Sequence, residues 1–237
     1  DLDTSNGTDF NTMFYSCSNL TTIPKLNTSN GTNFKNMFQN CSNLTTIPNL
    51  DTSNGTSFSQ MFSGCTSLTS IPELDTSKGK NFNKMFSLCS SLISIPNLDT
   101  SNGTNFGSMF SGCTSLTTIP ILDIDNASES GSLFYNTKSL VNLMLYNIHR
   151  SIQIGSGTSW GHLLTVDSLV NTIKELCTVS SSQTLTMGST NLAKISDLYC
   201  RVTDDTTEKK PMELCDSTAE GTMTLSAYAA LKNWTLA

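Results

Sequence analysis

Apolar residues recur along the first half of the chain at a fixed spacing that does not slip, as the prolines at positions 24, 48, 72, 96 and 120 show. The second copy of the pattern shows the residues that we assign to the core: Phe34, Met37, Phe38, Cys41, Leu44 and Ile47. A fixed period between about 20 and 50 residues predicts a solenoid, because units of that length bury their apolar faces only against each other.

Each copy predicts one helix and one strand. The residues from Phe34 to Cys41 place apolar side chains at i, i+3, i+4 and i+7, which predicts a helix of about two turns with Thr32 as its N-cap. The segment LTTIPNL (44–50) predicts a short strand with its proline at the strand end, since proline removes a ladder hydrogen bond. In DTSNG we expect Asn-Gly to supply a positive φ, and the Asp to accept from backbone amides.

The predicted fold class is therefore an α/β solenoid with a short helix and a short parallel strand in each coil. Residues 1–148 hold five regular coils and one degenerate coil. The sixth coil keeps its apolar pattern at Leu133, Phe134, Leu140 and Leu143, but Thr137 replaces the cysteine and Met144 the proline.

Residues 149–237 lack the repeat and predict a divergent α/β cap that continues the stack. An amphipathic helix is predicted within 163–177, with Thr165 as N-cap and Val166, Leu169, Val170, Ile173 and Leu176 on one face. A strand at 184–187, a hairpin insert formed by LYCRVT and PMELC, a helix at 226–232 and a strand at 234–236 complete the prediction.

Composition excludes several function classes. The chain of 237 residues has a formal net charge of −6 and no basic stripe, so no nucleic-acid partner is predicted. No apolar run reaches the ~20 residues of a membrane helix, so no membrane insertion is predicted. The sequence starts at Asp1 within a repeat, and we expect a fragment or a processed product.

A column of cysteines and a column of aspartates could each bind metal ions or have a purely structural role. Five cysteines are spaced by one period and predict small buried side chains, the alternatives being a soft-metal series or disulfides: Cys17, Cys41, Cys65, Cys89 and Cys113. The column Asp51, Asp75, Asp99 and Asp123 predicts Asx turns, with calcium as the alternative, because Asn27 occupies the same column. A disulfide between Cys200 and Cys215, which flank the hairpin, is left open.

No catalytic constellation is found. His149 and His162 are the two histidines, and neither belongs to a motif with cysteines or carboxylates. We therefore predict no enzyme, no cofactor and no metal. No coiled-coil heptads are present, so the sequence does not predict an oligomeric state.

The copies differ mainly at positions that we predict to face outward. Two exterior helix columns vary, at 11, 35, 59, 83 and 107 and at 15, 39, 63, 87 and 111. The candidate partner-binding residues form a post-proline row of Lys25, Asn49, Glu73, Asn97 and Ile121, and a hydroxyl row of Thr22, Thr46, Ser70, Ser94 and Thr118. Drift and a tuned surface both explain such variation, and a flat hydroxyl-rich face fits carbohydrate or a partner surface.

The repeat MFxxCxxLxxIPxLDTSNGTxF resembles the BspA-like leucine-rich repeats of bacterial surface proteins over residues 1 to about 125. The resemblance implies a right-handed leucine-rich-repeat solenoid, usually a surface-displayed binding or adhesion module. It does not imply one ligand.

The segments SLVNTIKEL, LTMGSTNLAKIS and LKNWTLA resemble the C-termini of repeat proteins encoded by gut phages and prophages, over roughly 163–237. This second resemblance implies an extracellular, virion-surface, tail- or fibre-associated protein that recognises a bacterial surface glycan or protein, or contacts other virion proteins. The alternatives are a bacterial cell-surface adhesin and a structural spacer or virion decoration without a ligand.

Overall fold

The computed structural model describes residues 2–146, 148, 152–154, 164–174, 183–187, 195, 199–202, 212–215 and 223–236. Residues 3–146 form six stacked coils of equal length, each with its equivalent residues beside those of the next. Phenylalanine rings of successive coils lie nearly parallel, with centroids 5.8 Å apart for Phe34 and Phe58, and 5.6 Å apart for Phe38 and Phe62. The structure buries the six residues assigned to the core, so the predicted solenoid is confirmed.

The predicted helix in each coil is wrong. The segment from Phe34 to Cys41 is a series of tight turns, and no α-helix occurs in coils 1 to 6 of the described residues. The amides of Met37 and Cys41 donate to the carbonyls three residues earlier, of Phe34 and Phe38, at 3.3 and 3.1 Å. Because there is no helix, Thr32 caps nothing, and its hydroxyl donates instead to the carbonyl of Thr8 at 3.2 Å.

Left-handed residues interrupt the helix. In coil 2, Asn36 and Asn40 have φ values of 58° and 61°, and the equivalent residues of the other coils also have positive φ. One such residue in each four-residue turn reverses the chain and turns the next apolar side chains inward. A non-glycine residue in this conformation costs roughly 1–2 kcal/mol, so the fold must offset that cost elsewhere.

Backbone hydrogen bonds between coils compensate for the free-energy cost of these left-handed residues. The amides of Phe34, Asn36, Phe38 and Asn40 donate to carbonyls of the next coil, at 2.7 to 2.9 Å. We call residues 8–16 of coil 1 and their equivalents the turn segments. In the turn segment 32–40, four amides therefore donate to the next coil, two donate to carbonyls within the segment, and the amide of Thr32 donates to the preceding coil.

Among the six coils, all of whose residues the structure describes, strands form only in the last two, which corrects the prediction of one strand per coil. Strand β1 (Thr118–Asp123) pairs in parallel with β2 (Asn142–Tyr146). Pro120 lies inside β1 rather than at its end, and the register shifts between Ile119 and Ile121. In coils 1 to 4 every equivalent segment and its neighbour carry a proline and no strand forms, whereas β2 has Met144 at this position and keeps the amide hydrogen that proline lacks.

The glycine of DTSNG does not supply a positive φ, contrary to the prediction. Gly31 is required by a close approach: a Cβ atom there would lie 2.6 Å from Cζ of Phe34 and 2.9 Å from the Phe10 ring. Positive φ among the described glycines is found at Gly64 and Gly112 instead.

A buried threonine column links the coils at the same turn. The hydroxyls of Thr28, Thr52, Thr76 and Thr100 each donate at 2.8 Å to the carbonyl of residue 51, 75, 99 or 123 in the next coil. The repeat pattern alone did not reveal this role of the threonines.

The described parts of the C-terminal region are short strands and helical segments. Its described elements are β3 (Ile152–Gln153), α1 (Val166–Lys174), β4 (Gln183–Thr186), β5 (Tyr199–Val202), β6 (Met212–Cys215), β7 (Met223–Thr224), α2 (Leu225–Leu231) and β8 (Trp234–Leu236). Strands β3, β4 and β8 form a parallel sheet, and β6, β5 and β7 an antiparallel one.

The segments predicted as a hairpin contain β5 and β6, which pair antiparallel; the register places Cys200 opposite Leu214 and Tyr199 opposite Cys215, so the two cysteines are not directly opposite each other. The amide of Thr165, the residue before α1, donates to the carbonyl of Val141 at 2.9 Å, one period earlier. Leu176 and Cys177 lie outside the described residues, so the predicted end of this helix stays a prediction.

We expect Gly55→Ala to destabilise the protein by about 1–3 kcal/mol, the usual cost of overpacking. The added Cβ would lie 2.5 Å from Cζ of Phe58 and 2.9 Å from the carbonyl oxygen of Thr52. Gly131→Ala is the control, since its Cβ would meet only the flexible end of Glu129. Urea unfolding curves measure both, and equal stability of the two variants would contradict this packing.

We expect Thr52→Val to cost about 1–3 kcal/mol of unfolding free energy, because the carbonyl of Asp75 loses its hydroxyl donor in a buried site. Thr46→Val makes the same chemical change at an exposed hydroxyl and should stay within about 0.5 kcal/mol of the parent. A thermal melt of each variant checks the difference, and a neutral Thr52→Val would show that the threonine column is dispensable.

Candidate partner-binding face

The hydroxyl row and the post-proline row lie on the same side of the stack, on the segments that precede and follow each proline. The chain alternates there: in coil 2, Thr46 and Asn49 are exposed or half-buried while Ile47 and Leu50 are buried. All ten candidate residues keep part of their surface in solvent, and none is buried. The structure thus brings the candidate residues together in two parallel rows.

The hydroxyls of the hydroxyl row have no hydrogen-bond partner within the described part of the chain. Two threonines that directly precede members of this row behave differently. The hydroxyls of Thr45 and Thr117 donate to the carbonyls of Thr21 and Ile93 at 3.3 and 3.2 Å. Thr45 and Thr117 therefore add hydrogen bonds between coils, whereas the hydroxyl row leaves its donors and acceptors facing solvent.

The post-proline row carries a different chemical group in each coil. It runs from a cation at Lys25 through a neutral amide at Asn49 to an anion at Glu73, and no described residue pairs with any of them. Its last member, Ile121, is 53% exposed and lies beside Met144, which is 45% exposed. The face is therefore polar over most of its length and apolar at the coil 5–6 end.

The rigid spacing of the coils fixes the geometry of these rows. Ring centroids of successive coils are 5.5 to 6.1 Å apart along the column of phenylalanines that runs from Phe14 to Phe134. Each member of the hydroxyl row lies on its own coil, so the row presents one hydroxyl per coil. Such an array can contact several successive units of a polymer.

An open cavity of about 530 Å³ adjoins the coil 1 end of this face. Its lining includes the polar residues Lys25, Asn49 and Asp51 and the apolar residues Leu2 and Leu26. A second cavity of about 380 Å³ lies at the same end, against Phe10 and Met13. The repeat pattern did not predict these cavities, because it shows which residues form a column but not the depth of the surface around them.

The aspartate column forms Asx turns, as predicted. The hydroxyl and amide of Ser53 donate to the Asp51 carboxylate at 2.7 and 3.1 Å and hold the pKa of that carboxyl below its usual value. Ser77 does the same for Asp75, at 2.6 and 3.0 Å. Within the described residues, no group of three or more His, Cys, Asp or Glu side chains converges as a metal site would require.

The cysteine column is buried from coil 2 to coil 5, as predicted, and Cys17 in coil 1 is exposed. The sequence did not show that each buried thiol donates to the preceding coil; Cys41, for example, reaches the carbonyl of Phe14 at 3.0 Å. Burial raises the pKa of the Cys41 thiol to about 11 and that of Cys113 to about 12.

Several exterior positions of the predicted helix are not exterior. Ser59, Ser63, Ser87 and Gly107 are buried, because the turn segments pack closely and neighbouring side chains cross them. For example, Asn83 lies across Gly107 and donates to its carbonyl oxygen at 3.0 Å. His149 and His162 lie outside the described residues, and none of the described helices could span a membrane.

The stacked coils and their exposed polar rows define the class of this protein as a repeat solenoid. A family model described as "Mycoplasma protein of unknown function, DUF285" matches residues 1–94 and 69–155, and the chain belongs to this family. The match includes the whole region that resembles the BspA-like repeats.

Among solved structures, a leucine-rich repeat protein of T. pallidum matches with 20% identity and a TM-score of 0.47, over 73% of this chain and 78% of that one. No curated protein matches the sequence. Neither the family model nor the solved structure supports the resemblance of the C-terminal region to phage or prophage proteins.

We expect native-state alkylation to modify Cys17 and to spare Cys41, Cys65, Cys89 and Cys113, as measured by peptide mass spectrometry. Because folding raises the pKa of the Cys41 thiol, its stabilising effect is complete below the ordinary value of about 9 and is lost as the pH rises toward 11. The free energy of unfolding should therefore fall over that range. Rapid labelling of Cys89 in the native protein would contradict the buried column.

Proposed function

We propose that this chain is a non-enzymatic binding module, displayed on a bacterial cell surface, whose two exposed rows bind a surface glycan or protein. One observation carries the proposal: the hydroxyls of the hydroxyl row stand without intramolecular partners in the described part of the chain, on a core whose columns are the same in every regular coil.

The scaffold favours binding because it is ordered before the partner arrives. Hydrogen bonds between coils fix the backbone beneath both rows, as in the bond from the Ile93 amide to the carbonyl of Thr69 at 3.1 Å. A preorganised surface loses little conformational entropy on binding. Many weak hydrogen bonds can then add to a useful affinity.

A glycan is the partner that the face fits best. Neutral hydroxyls and the amides of Asn49 and Asn97 both donate and accept, as sugar hydroxyls do. The apolar end at Ile121 and Met144 offers contact to the less polar face of a sugar ring. The described residues supply no nucleophile–base pair, which favours binding over catalysis.

A bacterial surface is the proposed setting because the family is described from Mycoplasma, a bacterium. The phage-tail setting rests on the C-terminal resemblance, which falls largely on residues outside the described ones. A spacer without a ligand would leave the free hydroxyl row without a role.

The test removes the hydroxyls and keeps the shape of the side chains. Thr22, Thr46 and Thr118 become Val, while Ser70 and Ser94 become Ala. Binding of the labelled protein to intact bacterial strains and to a panel of immobilised bacterial cell-wall glycans should fall at least about tenfold, since each hydrogen bond contributes about 0.5–1.5 kcal/mol.

The matched control is Ser18→Ala with Ser132→Ala, two hydroxyls away from the face that have no side-chain hydrogen bond in the described residues. It should bind as the parent does. Equal binding by the row variant and the parent, with both folded by circular dichroism, would refute the proposed face.

A further inference from the structure

Three of the four cations of coils 2 to 5 lie on the turn segments, apart from every carboxylate of these coils, whereas the fourth, Lys78, lies near Asp75 and donates to Asn54 Oδ1 at 2.7 Å. Every charged residue of the turn segments in coils 2 to 5 (32–40, 56–64, 80–88 and 104–112) is a lysine: Lys35, Lys80 and Lys84. The carboxylates of the same coils all lie elsewhere, at the Asx turns and in the post-proline row: Asp51, Glu73, Asp75 and Asp99. Turn segments with carboxylates, at Asp9 and Glu129, belong to the first and last coils. A chain of net charge −6 thus has a stretch of four coils with cations and no anions on one side.

The three amines have no ion pair or hydrogen bond within the part of the chain that the structure describes. The residues that flank Lys80 in the adjacent coils are Thr56 and Thr104, and its backbone bonds to them at 2.9 and 2.8 Å fix their positions beside it. The residues equivalent to Lys84 are Gln60 and Ser108, also neutral. The positive potential around Lys80 and Lys84 is therefore not cancelled by the adjacent coils.

The repeat itself shows that these lysines are not needed for folding. Coil 3 has the same turn geometry as coil 4, with Thr56 and Gln60 where coil 4 has Lys80 and Lys84. Exposed charges without partners add little to stability. A cationic side maintained on a rigid acidic protein instead favours association with anions.

We propose that the turn segments of coils 2 to 5 form a second binding surface, which takes an anionic polysaccharide. This surface lies apart from the hydroxyl and post-proline rows and goes beyond the function proposed for them. Lysine is a point charge on a flexible stem, which matches the carboxylate, phosphate or sulfate groups of a mobile polymer. The flanking hydroxyls and amides fit the sugar units between those groups.

A membrane surface is less well matched. Leu88, 58% exposed, is the one large exposed apolar side chain of the turn segments in coils 2 to 5. Interfacial binding to lipid depends on the burial of an apolar face together with basic residues, and one leucine does not form such a face.

The test compares two double variants of the whole chain that remove equal charge. Lys80→Thr with Lys84→Gln installs the residues of coil 3, and Lys78→Asn with Lys138→Thr installs residues of other coils at positions off the turn segments of coils 2 to 5. The probe is immobilised dextran sulfate, with uncharged dextran as reference. We expect the parent and the off-face variant to bind alike and the first variant to bind at least about tenfold more weakly.

The salt dependence gives an independent measure. For condensed polyanions each lysine contact contributes about one to the slope of log K against log salt, so the Lys80/Lys84 variant should lose about two. Equal weakening by both variants would show a net-charge effect and overturn the proposal. Failure of the parent to bind dextran sulfate, or its binding to vesicles with anionic lipid in preference to the polysaccharide, would overturn it as well.

The two proposed binding surfaces can be tested independently of each other. The variant without the hydroxyl row should retain binding to dextran sulfate, because it keeps all the lysines. Loss of binding to dextran sulfate in that variant would show that the two surfaces are not independent and would overturn the assignment to the turn segments.

Discussion

The backbone hydrogen bonds between turn segments are the interaction on which the rest of this structure depends. Alternate amides of one coil meet carbonyls of the next at a constant offset, as from Phe38 to Met61 at 2.9 Å. A one-residue insertion would move every donor in that coil away from its acceptor. This requirement explains why the period does not slip, and why each phenylalanine, methionine and cysteine meets its own equivalent in the next coil.

The period, the core and the Asx turns could be predicted from the sequence, because each depends on residue type at a fixed spacing. The helix could not be excluded in the same way. Over the span from Phe34 to Cys41, a four-residue turn and a helix of 3.6 residues per turn place the same side chains inward. The evidence against a helix was Gly64 and Gly112, which share a column with Asn40 and mark its left-handed conformation.

The position of the candidate face also followed from the sequence, since outward columns vary while the core columns do not. The state of each hydroxyl did not follow. Thr45 and Thr46 are adjacent and identical in type, yet only the first donates to a neighbouring coil. That difference depends on which way each side chain points relative to the coil before it, and this is fixed by the stacking. The separation of Lys35, Lys80 and Lys84 from the carboxylates is a property of the sequence. Only the structure shows that these lysines lie on turn segments, away from the Asx turns and the post-proline row.

The central claim, that the coils are held by bonds between turn segments rather than by helices, can be measured directly by NMR. Scalar couplings across hydrogen bonds identify which carbonyl accepts from each amide. The account predicts a coupling from the amide of Phe38 to the carbonyl of Met61 in the next coil. A coupling from Phe38 to the carbonyl of Phe34, four residues earlier, would show an α-helix and contradict it.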